Sequence, residues 1–418
     1  MKWIYKIFFL GFIVRFIVSY FFTHPFETDY FIIAENLIKK GIYSLDGINP
    51  TSFRTPVYPL ILATVTFFFG KEKLAFIILS ALIGATNTLL CGYLAKKLFD
   101  QKTAALSSLI YISLPYLAQK EATTEGGFVS LFLMLATIFF LKCRFKKSYL
   151  YIITSALFLS FTYLVRPETC ALTLFISICI FIDGVLKKKQ TKLILKEGLL
   201  FIIVFITAIL PWGWRNYSTF RHFYIAQTNF WYNFYIGNHP QTFNVYPYLS
   251  LDNFNTKENN ELNILGDEFE RERCAKKFFL IQLKKMGFAG FFKNSLRRSI
   301  YLWNIRLVPY TEYIVKVKMK YQILNKPRSL YKNLIFSIPY TLLLSLFLYS
   351  LYLERKRKKL IFFVLGIISF FSSPYVLTIA YSRYTTFIYF TLIIMASKSI
   401  VYLIDRIIDL SYTKKYFT

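Results

Sequence analysis

Nine charged side chains stand near the ends of apolar segments, in a sequence that contains only 22 acidic residues. They are Glu27, Asp29, Arg54, Glu121, Glu125, Arg166, Glu168, Arg215 and Arg383. A charge beside low-dielectric material is costly unless it is paired or faces a water-filled cavity. Carboxylates can act as general bases toward a hydroxyl, and guanidinium groups bind phosphate through paired hydrogen bonds. The set therefore predicts a site for an anionic ligand, next to a group that loses a proton.

Individual members of this set also have structural interpretations. Asp29 stands where the pattern places the start of a helix at Tyr30, and a carboxylate there can cap free backbone N–H groups. Arg166 and Arg383 can lie at a membrane interface with their charged ends in water. The set is more informative than its members, because acids and arginines gathered on one face favour a ligand site.

The elements that must hold these groups are membrane helices. Hydrophobic residues make up 56% of the 418 residues, charged residues 17%, and the mean hydropathy is +0.44. Several uncharged apolar runs approach or exceed the ~18 residues that can cross a bilayer. The formal net charge of +29 comes mostly from short basic clusters between apolar runs. That pattern is typical of cytoplasmic anchors and argues against nucleic-acid binding, so we predict an all-α polytopic membrane protein.

The basic clusters set the expected topology. If the clusters near 96–102, 142–147, 187–196 and 354–359 are cytoplasmic, the helices between them pair as hairpins and both termini are cytoplasmic. About ten transmembrane helices result: 5–23, 74–95, 104–119, 126–141, 149–165, 170–186, 197–213, 333–353, 360–379 and 384–404. The first is predicted to be a retained helix, because it lacks a small-residue cleavage site.

The predicted chain has three parts. Residues 1–213 form an N-terminal transmembrane catalytic module that includes a first outer loop, 24–73. Residues 214–332 form an extracytoplasmic loop with amphipathic helices, and its polar stretch "LDNFNTKENNELN" predicts an irregular segment. Residues 333–418 form the C-terminal transmembrane helices and a short cytoplasmic tail. The apolar run 55–70 is short and carries two prolines near its start, so it predicts a helix that lies at the outer interface or dips into the membrane and returns, rather than a span.

Seven short elements, in order between about residues 27 and 390, resemble those of a known family. They are "DYFIIAENLIKKGIYS", "FRTPVYPLILATVTFFFG", "TTEGGF", "LVRPE", "PWGWRNYSTF", "YIGNHP" and "SRYTTFIYF". They are similar to elements of GT-C class membrane glycosyltransferases, in the bacterial group that includes protein O-mannosyltransferases (glycosyltransferase family 39) and lipid A aminoarabinose transferases. The resemblance implies the GT-C fold and a hexosyl- or pentosyltransferase that uses a polyprenyl-phosphate-linked sugar.

The resemblance also implies roles for individual residues. Asp29 is expected to be the general base that activates the acceptor, Glu27 could share that role, and Glu125 is expected to be a further catalytic acid. Arg54 is expected to bind the donor phosphate, whereas Arg215 and Arg383 are expected either to bind it or to support the fold. The expected substrate-pocket residues are Tyr30, Tyr58, Arg166, Asn216 and Asn238.

The implied reaction is a single in-line displacement that inverts the anomeric centre. It would take place at the extracytoplasmic face of a bacterial plasma membrane, with a protein, a glycolipid or a cell-wall glycan as acceptor. The sequence contains no DxD motif, and its five cysteines and three histidines show no ligand spacing, so neither a divalent metal nor another cofactor is expected. The sequence departs from the family pattern at Thr55, which replaces a proline, and in "RYTTFIYF", which lacks two prolines.

Other classes of protein remain open at this point. A transporter or lipid flippase would line a path with such charges, although its site would be expected near the midplane, where Arg15 is the one exception to an uncharged interior. A polysaccharide ligase or polymerase would use a polyprenyl-diphosphate glycan. A family member without activity, serving as a scaffold, is a third alternative.

Overall fold

In the part of the chain that the structure describes, the protein is a bundle of α-helices with one small antiparallel pair of strands. A computed structural model describes residues 2–22, 28–123, 125–145, 148–187, 190–239, 261–262, 265–303, 310–317, 320–327 and 338–416. Within these residues, six helices are long and apolar enough to cross a membrane: Lys73–Leu98, Gly126–Arg144, Pro167–Leu186, Thr191–Phe220, Lys358–Leu377 and Arg383–Asp409. The predicted all-α polytopic fold is confirmed.

The elements follow one another in this order: α1 (Lys2–Phe22), α2 (Asp29–Lys40), α3 (Val57–Phe69), α4 (Lys73–Leu98), α5 (Gln101–Ser113), α6 (Pro115–Thr123), α7 (Gly126–Phe145), α8 (Tyr149–Val165), α9 (Cys170–Leu186), α10 (Thr191–Phe220), α11 (Phe230–Asn238), α12 (Glu268–Leu302), β1 (Tyr310–Val317), β2 (Lys320–Pro327), α13 (Ile338–Leu353), α14 (Lys358–Leu377), α15 (Ser382–Thr385) and α16 (Tyr389–Tyr416). In the bundle α4 packs against α1, α5 and α7, and α8 packs between α7 and α10. Helix α9 lies against both α10 and α14, and α16 lies against α13 and α5.

The predicted helix 104–119 is two helices in the structure. Leu114, between α5 and α6, has φ −74° and ψ 106°. It precedes Pro115, and the proline ring disfavours the helical region for the residue before it, so the helix ends there. Among the other helices, the largest differences from prediction are in α10, which spans Thr191–Phe220 rather than 197–213, and in α16, which continues to Tyr416 rather than ending near 404.

Part of each outer segment forms the expected secondary structure. Helix α3 is the short apolar helix predicted in 55–70, and it packs against α2. Helix α12 forms in the segment where an amphipathic helix is predicted, and it has a kink at Gly287, where φ is +68°, a backbone conformation that favours glycine. Strands β1 and β2 pair in antiparallel register and were not predicted. Apart from residues 261–262, the predicted irregular segment 251–263 lies outside the described residues.

Arg15, the charge predicted near the middle of a span, is paired in the structure. Its Nη2 lies 3.0 Å from Oε2 of Glu121 in α6, and both side chains are almost fully buried. Glu121 also accepts hydrogen bonds from Asn87 Nδ2 at 2.8 Å and from the Tyr111 hydroxyl at 2.6 Å. Pairing and hydrogen bonding offset the cost of burying these charges, and they join α1, α4, α5 and α6.

The basic clusters lie in contact with one another at helix ends. Lys102 pairs with Asp405 at 2.7 Å, and Lys398 with Asp100 at 3.3 Å. Arg357 Nη2 donates to the Leu98 carbonyl at 3.0 Å. The two ion pairs join the segment 96–102 to α16, and the Arg357 contact joins it to the cluster at 354–359, as expected if both clusters lie on the same side of a membrane.

Candidate functional site

Asp29 begins α2 and points its carboxylate at an arginine. Thr28 caps this helix, since its Oγ1 accepts a hydrogen bond from the Phe31 N–H at 3.3 Å. The interpretation of Asp29 as the N-cap is therefore wrong. Asp29 Oδ2 instead accepts a hydrogen bond from Arg54 Nη2 at 2.7 Å, and 43% of the Asp29 side chain is exposed. This carboxylate is accessible to a substrate.

Aromatic rings surround the guanidinium group of Arg54. Its central carbon lies 4.9 Å from the ring centroid of Tyr30 and 4.6 Å from that of Phe53. The Tyr30 ring in turn packs edge-on against Tyr58 at 5.0 Å. Ring faces attract a guanidinium without using its N–H groups. Arg54 is thus held in place while its Nε, which is buried, has no hydrogen-bond partner among the described residues.

A second acid–arginine pair lies at the ends of α7 and α8. Glu125 precedes α7, Arg166 follows α8, and both Nε and Nη2 of Arg166 contact Oε1 of Glu125. Both side chains are buried. Arg166 Nη1 also lies 3.5 Å from Glu168 Oε1, and its guanidinium lies 4.8 Å from the Tyr384 ring. The pair connects the turn before α7 to the segment that follows α8.

The two pairs belong to one electrostatic cluster. Burial raises the pKa of the Glu125 carboxyl, but the guanidinium groups of Arg166, Arg383 and Arg54 hold it below its usual range. Burial and then the charge of Glu125 raise the pKa of Tyr30 to about 12. Three predicted site arginines therefore lower the pKa of Glu125, and the Glu125 charge in turn raises the pKa of Tyr30, a fourth predicted site residue. Arg383 is itself exposed, and its guanidinium packs on the Tyr384 ring at 5.3 Å.

Arg215 and Asn216 lie in α10 and contact the backbone of the first outer loop and the segment after α10. Arg215 Nη1 donates to the Thr51 carbonyl at 2.8 Å, and Nη2 donates to the Tyr43 carbonyl at 3.4 Å. Asn216 is fully buried, and its Nδ2 donates to the Tyr224 carbonyl at 2.6 Å. These contacts favour the fold-supporting alternative for Arg215, because they hold the loop that carries Arg54.

Asn238 lies at a junction between α11 and the end of α14. It is fully buried, and its Nδ2 donates to the Leu377 carbonyl at 3.2 Å. Arg298 of α12 donates from Nη1 to the neighbouring Gly237 carbonyl at 2.6 Å. A Cβ at Gly237 would lie 1.9 Å from the Thr378 carbonyl oxygen, so only glycine fits there. The "GN" of "YIGNHP" is thus a packing junction in this structure, held by the buried Arg298.

Glu268 is a site residue that sequence reasoning missed. It begins α12, and its carboxylate accepts hydrogen bonds from the Ser52 N–H at 3.0 Å and the Thr228 hydroxyl at 2.6 Å. It also accepts a hydrogen bond from the Thr51 hydroxyl. The carboxylate therefore fixes the loop two residues before Arg54. Glu268 is more than 200 positions from Thr51 and Ser52 in sequence, so no local spacing pattern could indicate these contacts.

The remaining predictions about the site concern Glu27 and metals. Glu27 lies outside the described residues. Among the residues that the structure describes, no group of three His, Cys, Asp or Glu side chains could hold a metal ion. Metal independence stays a prediction.

A family model matches the middle of the N-terminal part. The model describes the dolichyl-phosphate-mannose-protein mannosyltransferases, and it matches residues 53–212. This region contains Arg54, Glu125 and Arg166, and it ends before Arg215. No curated protein sequence matches this chain.

Solved structures of an archaeal oligosaccharyltransferase share the fold. The archaeal oligosaccharyltransferase AglB from Archaeoglobus fulgidus, in complex with an inhibitory peptide and a dolichol-phosphate, has a TM-score of 0.56 at 12% identity, covering 99% of this chain and 52% of that chain. The chain thus spans about half the length of the archaeal enzyme. ArnT from Cupriavidus metallidurans, bound to undecaprenyl phosphate, has a TM-score of 0.44 at 12% identity, covering 96% of this chain and 78% of that chain. The family match and the shared fold show that this chain is similar to the membrane glycosyltransferases of the GT-C class.

Proposed function

We propose that this protein is an inverting glycosyltransferase, which moves a sugar from a polyprenyl-phosphate-linked donor to an acceptor hydroxyl, with Asp29 as the general base. The observation that supports this most directly is the contact of the exposed Asp29 carboxylate with Arg54 at 2.7 Å. Such a contact brings a proton acceptor and a phosphate ligand into one site. The name of the matched family includes dolichyl-phosphate-mannose, and the archaeal enzyme was solved in complex with a dolichol-phosphate. Both are polyprenyl-type phosphates, which supports the proposed donor class.

The proposed reaction is a single displacement at the anomeric carbon. The acceptor oxygen bonds to that carbon as the bond from the carbon to the donor phosphate oxygen breaks. Asp29 takes the hydroxyl proton, and the bonding electron pair leaves with polyprenyl phosphate. Arg54 exchanges Asp29 for the phosphate when the donor binds, which makes the carboxylate available and stabilises the developing charge. Arg383, which is exposed beside Glu125, provides a second guanidinium for the leaving phosphate.

Other residues of the cluster position these groups. Glu125 holds Arg166 in place and adds a negative charge that keeps the nearby arginines oriented toward the site. Tyr30 and Tyr58 form an aromatic wall behind Arg54, which would pack against the sugar or the first isoprene units. Arginines supply the charge that stabilises the leaving group, so the proposed reaction uses no divalent metal.

The proposed location is the extracytoplasmic face of a bacterial plasma membrane. The joined basic clusters at 96–102 and 354–359 would then be cytoplasmic, as would both termini. The acceptor is a hydroxyl of a protein, a glycolipid or a cell-wall glycan.

The first experiment follows the lipid product of the purified protein. Polyprenyl-phosphate sugars and polyprenyl-diphosphate glycans are each supplied in nanodiscs, and the released lipid is identified by mass spectrometry. We expect polyprenyl monophosphate from a monophosphate donor. Release of polyprenyl diphosphate would instead support a ligase or polymerase. Movement of intact donor between leaflets, without cleavage, would support a flippase.

Replacing Arg54 with alanine should weaken donor binding. A hydrogen bond to a charged group contributes about 1.5–3 kcal/mol, so the dissociation constant for polyprenyl phosphate should rise about 10- to 100-fold. Microscale thermophoresis in detergent measures this constant. Arg355→Ala, which removes an exposed arginine from the basic-cluster end of the bundle, is the control. Unchanged affinity in Arg54→Ala would rule out Arg54 as a phosphate ligand.

Replacing Glu268 with alanine should loosen the loop that carries Arg54. Three hydrogen bonds are lost, one of them to a backbone N–H. We expect donor affinity to fall about 5- to 10-fold, which corresponds to a loss of about 1–1.4 kcal/mol of binding free energy because Arg54 is less well positioned. Glu268→Gln, which keeps one acceptor oxygen, should recover part of the loss. Equal affinity in Glu268→Ala and the wild type would show that this clamp does not position Arg54.

A further inference from the structure

Arg271 is a guanidinium near the site for which the proposed reaction has no role. It lies in α12, three residues after Glu268, so the two side chains share one face of the helix. Its central carbon lies 5.7 Å from the ring centroid of Phe53 and 5.9 Å from that of Tyr232. The same Phe53 ring lies 4.6 Å from the central carbon of Arg54. Arg54 and Arg271, which are far apart in sequence, thus contact one aromatic ring.

Both guanidinium groups have N–H donors without acceptors. The Nε atoms of Arg54 and of Arg271 are buried, and neither has a hydrogen-bond partner in the described part of the chain. A buried donor left without an acceptor is costly, because it loses its hydrogen bonds to water and gains none in return, so native proteins rarely retain one without a reason. Two such donors, on guanidinium groups that contact the same ring, are consistent with a ligand that has several acceptor oxygens.

Two carboxylates of α12 near Arg271, those of Glu268 and Glu272, bind backbone or side-chain groups of other elements. Glu268 accepts hydrogen bonds from the Ser52 N–H and the Thr228 hydroxyl. Glu272 accepts from the Trp231 N–H at 2.8 Å and the Tyr232 N–H at 3.2 Å, at the start of α11. Arg271 forms no ion pair with any carboxylate that the structure describes. Its guanidinium N–H groups therefore remain available to a ligand.

We propose that Arg54 and Arg271 together bind one phosphate-type oxyanion of a substrate, beside the Phe53 ring that both contact. A guanidinium binds such a group through two N–H donors, and two guanidinium groups match the three or four oxygens of a phosphate. The phosphate belongs either to the lipid donor or to a phosphorylated acceptor. The identity of the substrate rests on the proposed function. The anion site itself is inferred from the contacts of Arg54 and Arg271 with Phe53 and from their buried N–H donors.

The test compares two arginines of the same helix. Arg271→Gln removes the charge but keeps a side chain that packs on the rings, and Arg273→Ala removes an exposed positive charge two residues away. Binding of polyprenyl monophosphate is measured first, without acceptor. Binding of glycerol 1-phosphate is then measured with polyprenyl monophosphate saturating the protein. Thermal unfolding in detergent verifies that both variants fold, and Arg271→Lys, which keeps the charge, is the second variant.

The outcomes separate the two sources of the phosphate. A roughly 10-fold or larger rise in the dissociation constant for polyprenyl monophosphate in Arg271→Gln, with at most about a 2-fold rise in Arg273→Ala, assigns the site to the donor. If only the dissociation constant for glycerol 1-phosphate rises in this way, in Arg271→Gln but not in Arg273→Ala, the site is assigned to a phosphorylated acceptor. In either case Arg271→Lys should bind more tightly than Arg271→Gln. Unchanged binding of both probes in Arg271→Gln would overturn the proposal, even if the wild type transfers sugar.

Discussion

Replacing Asp29 with asparagine is expected to slow sugar transfer about 100- to 10,000-fold, the range that general acid–base catalysis contributes. Asparagine has the same shape, and its Oδ1 can still accept the hydrogen bond from Arg54. It cannot take up the proton of the acceptor hydroxyl. Donor binding should therefore stay within about 3-fold of the wild type, because the affinity depends on the arginines and not on the base.

Single-turnover kinetics with purified protein and a labelled lipid donor separate these two effects. The matched control is Glu35→Gln, which neutralises another carboxylate of α2 that pairs with lysines, at 2.5 Å from Lys39 and 2.6 Å from Lys71. It should transfer sugar at nearly the wild-type rate. A turnover rate in Asp29→Asn close to that of Glu35→Gln would remove Asp29 as the base.

Breaking the buried pair of Glu125 and Arg166 should produce the second large effect. Arg166→Met leaves the Glu125 carboxylate buried without its main partner, and such losses typically cost about 3–5 kcal/mol of the free energy of unfolding. Replacing both residues with methionine should recover most of this stability, because no unpaired charge remains. Thermal and denaturant unfolding in detergent measure both variants. If the double variant were no more stable than Arg166→Met, the cost would come from lost packing instead of an unpaired charge.

The same pair should make stability depend on pH. Because the pKa of Glu125 in the folded protein lies below its usual value of 4.5, the carboxylate contributes stability above that value. This contribution is lost as the pH falls through the lower, folded-state pKa. The double methionine variant lacks the group, so the contribution of this residue to acid sensitivity should disappear from its unfolding profile.

Much of the site could be predicted because its residues lie at helix ends that the charge pattern already placed together. Asp29 begins α2, Glu125 precedes α7 and Arg166 follows α8. Charges at these ends must meet near the interface if the helices are antiparallel neighbours. The break before Pro115 could also have been predicted, since the restriction on the residue before proline is local.

The contributions of the second outer segment could not be predicted. Glu268, Arg271 and Arg298 reach the site or its support only because α12 docks against the first outer loop, α11 and the end of α14. That docking depends on tertiary contacts across long stretches of sequence, which leave no periodic signal. The pairing of Arg15 with Glu121 was missed for the same reason: each charge was recognised, but the sequence does not indicate which helices become neighbours.

The most direct test of the central claim, that Asp29 and its arginines face the outside, is cysteine accessibility in intact cells. In a background where the accessible Cys143, Cys170 and Cys274 are replaced by serine, Ile48→Cys places a thiol in the first outer loop at a residue that is 74% exposed. Lys356→Cys places one in the basic turn after α13. A membrane-impermeant maleimide should label Ile48→Cys in intact cells and Lys356→Cys only after permeabilisation. The reverse pattern would put the carboxylate on the cytoplasmic side and contradict the proposed site.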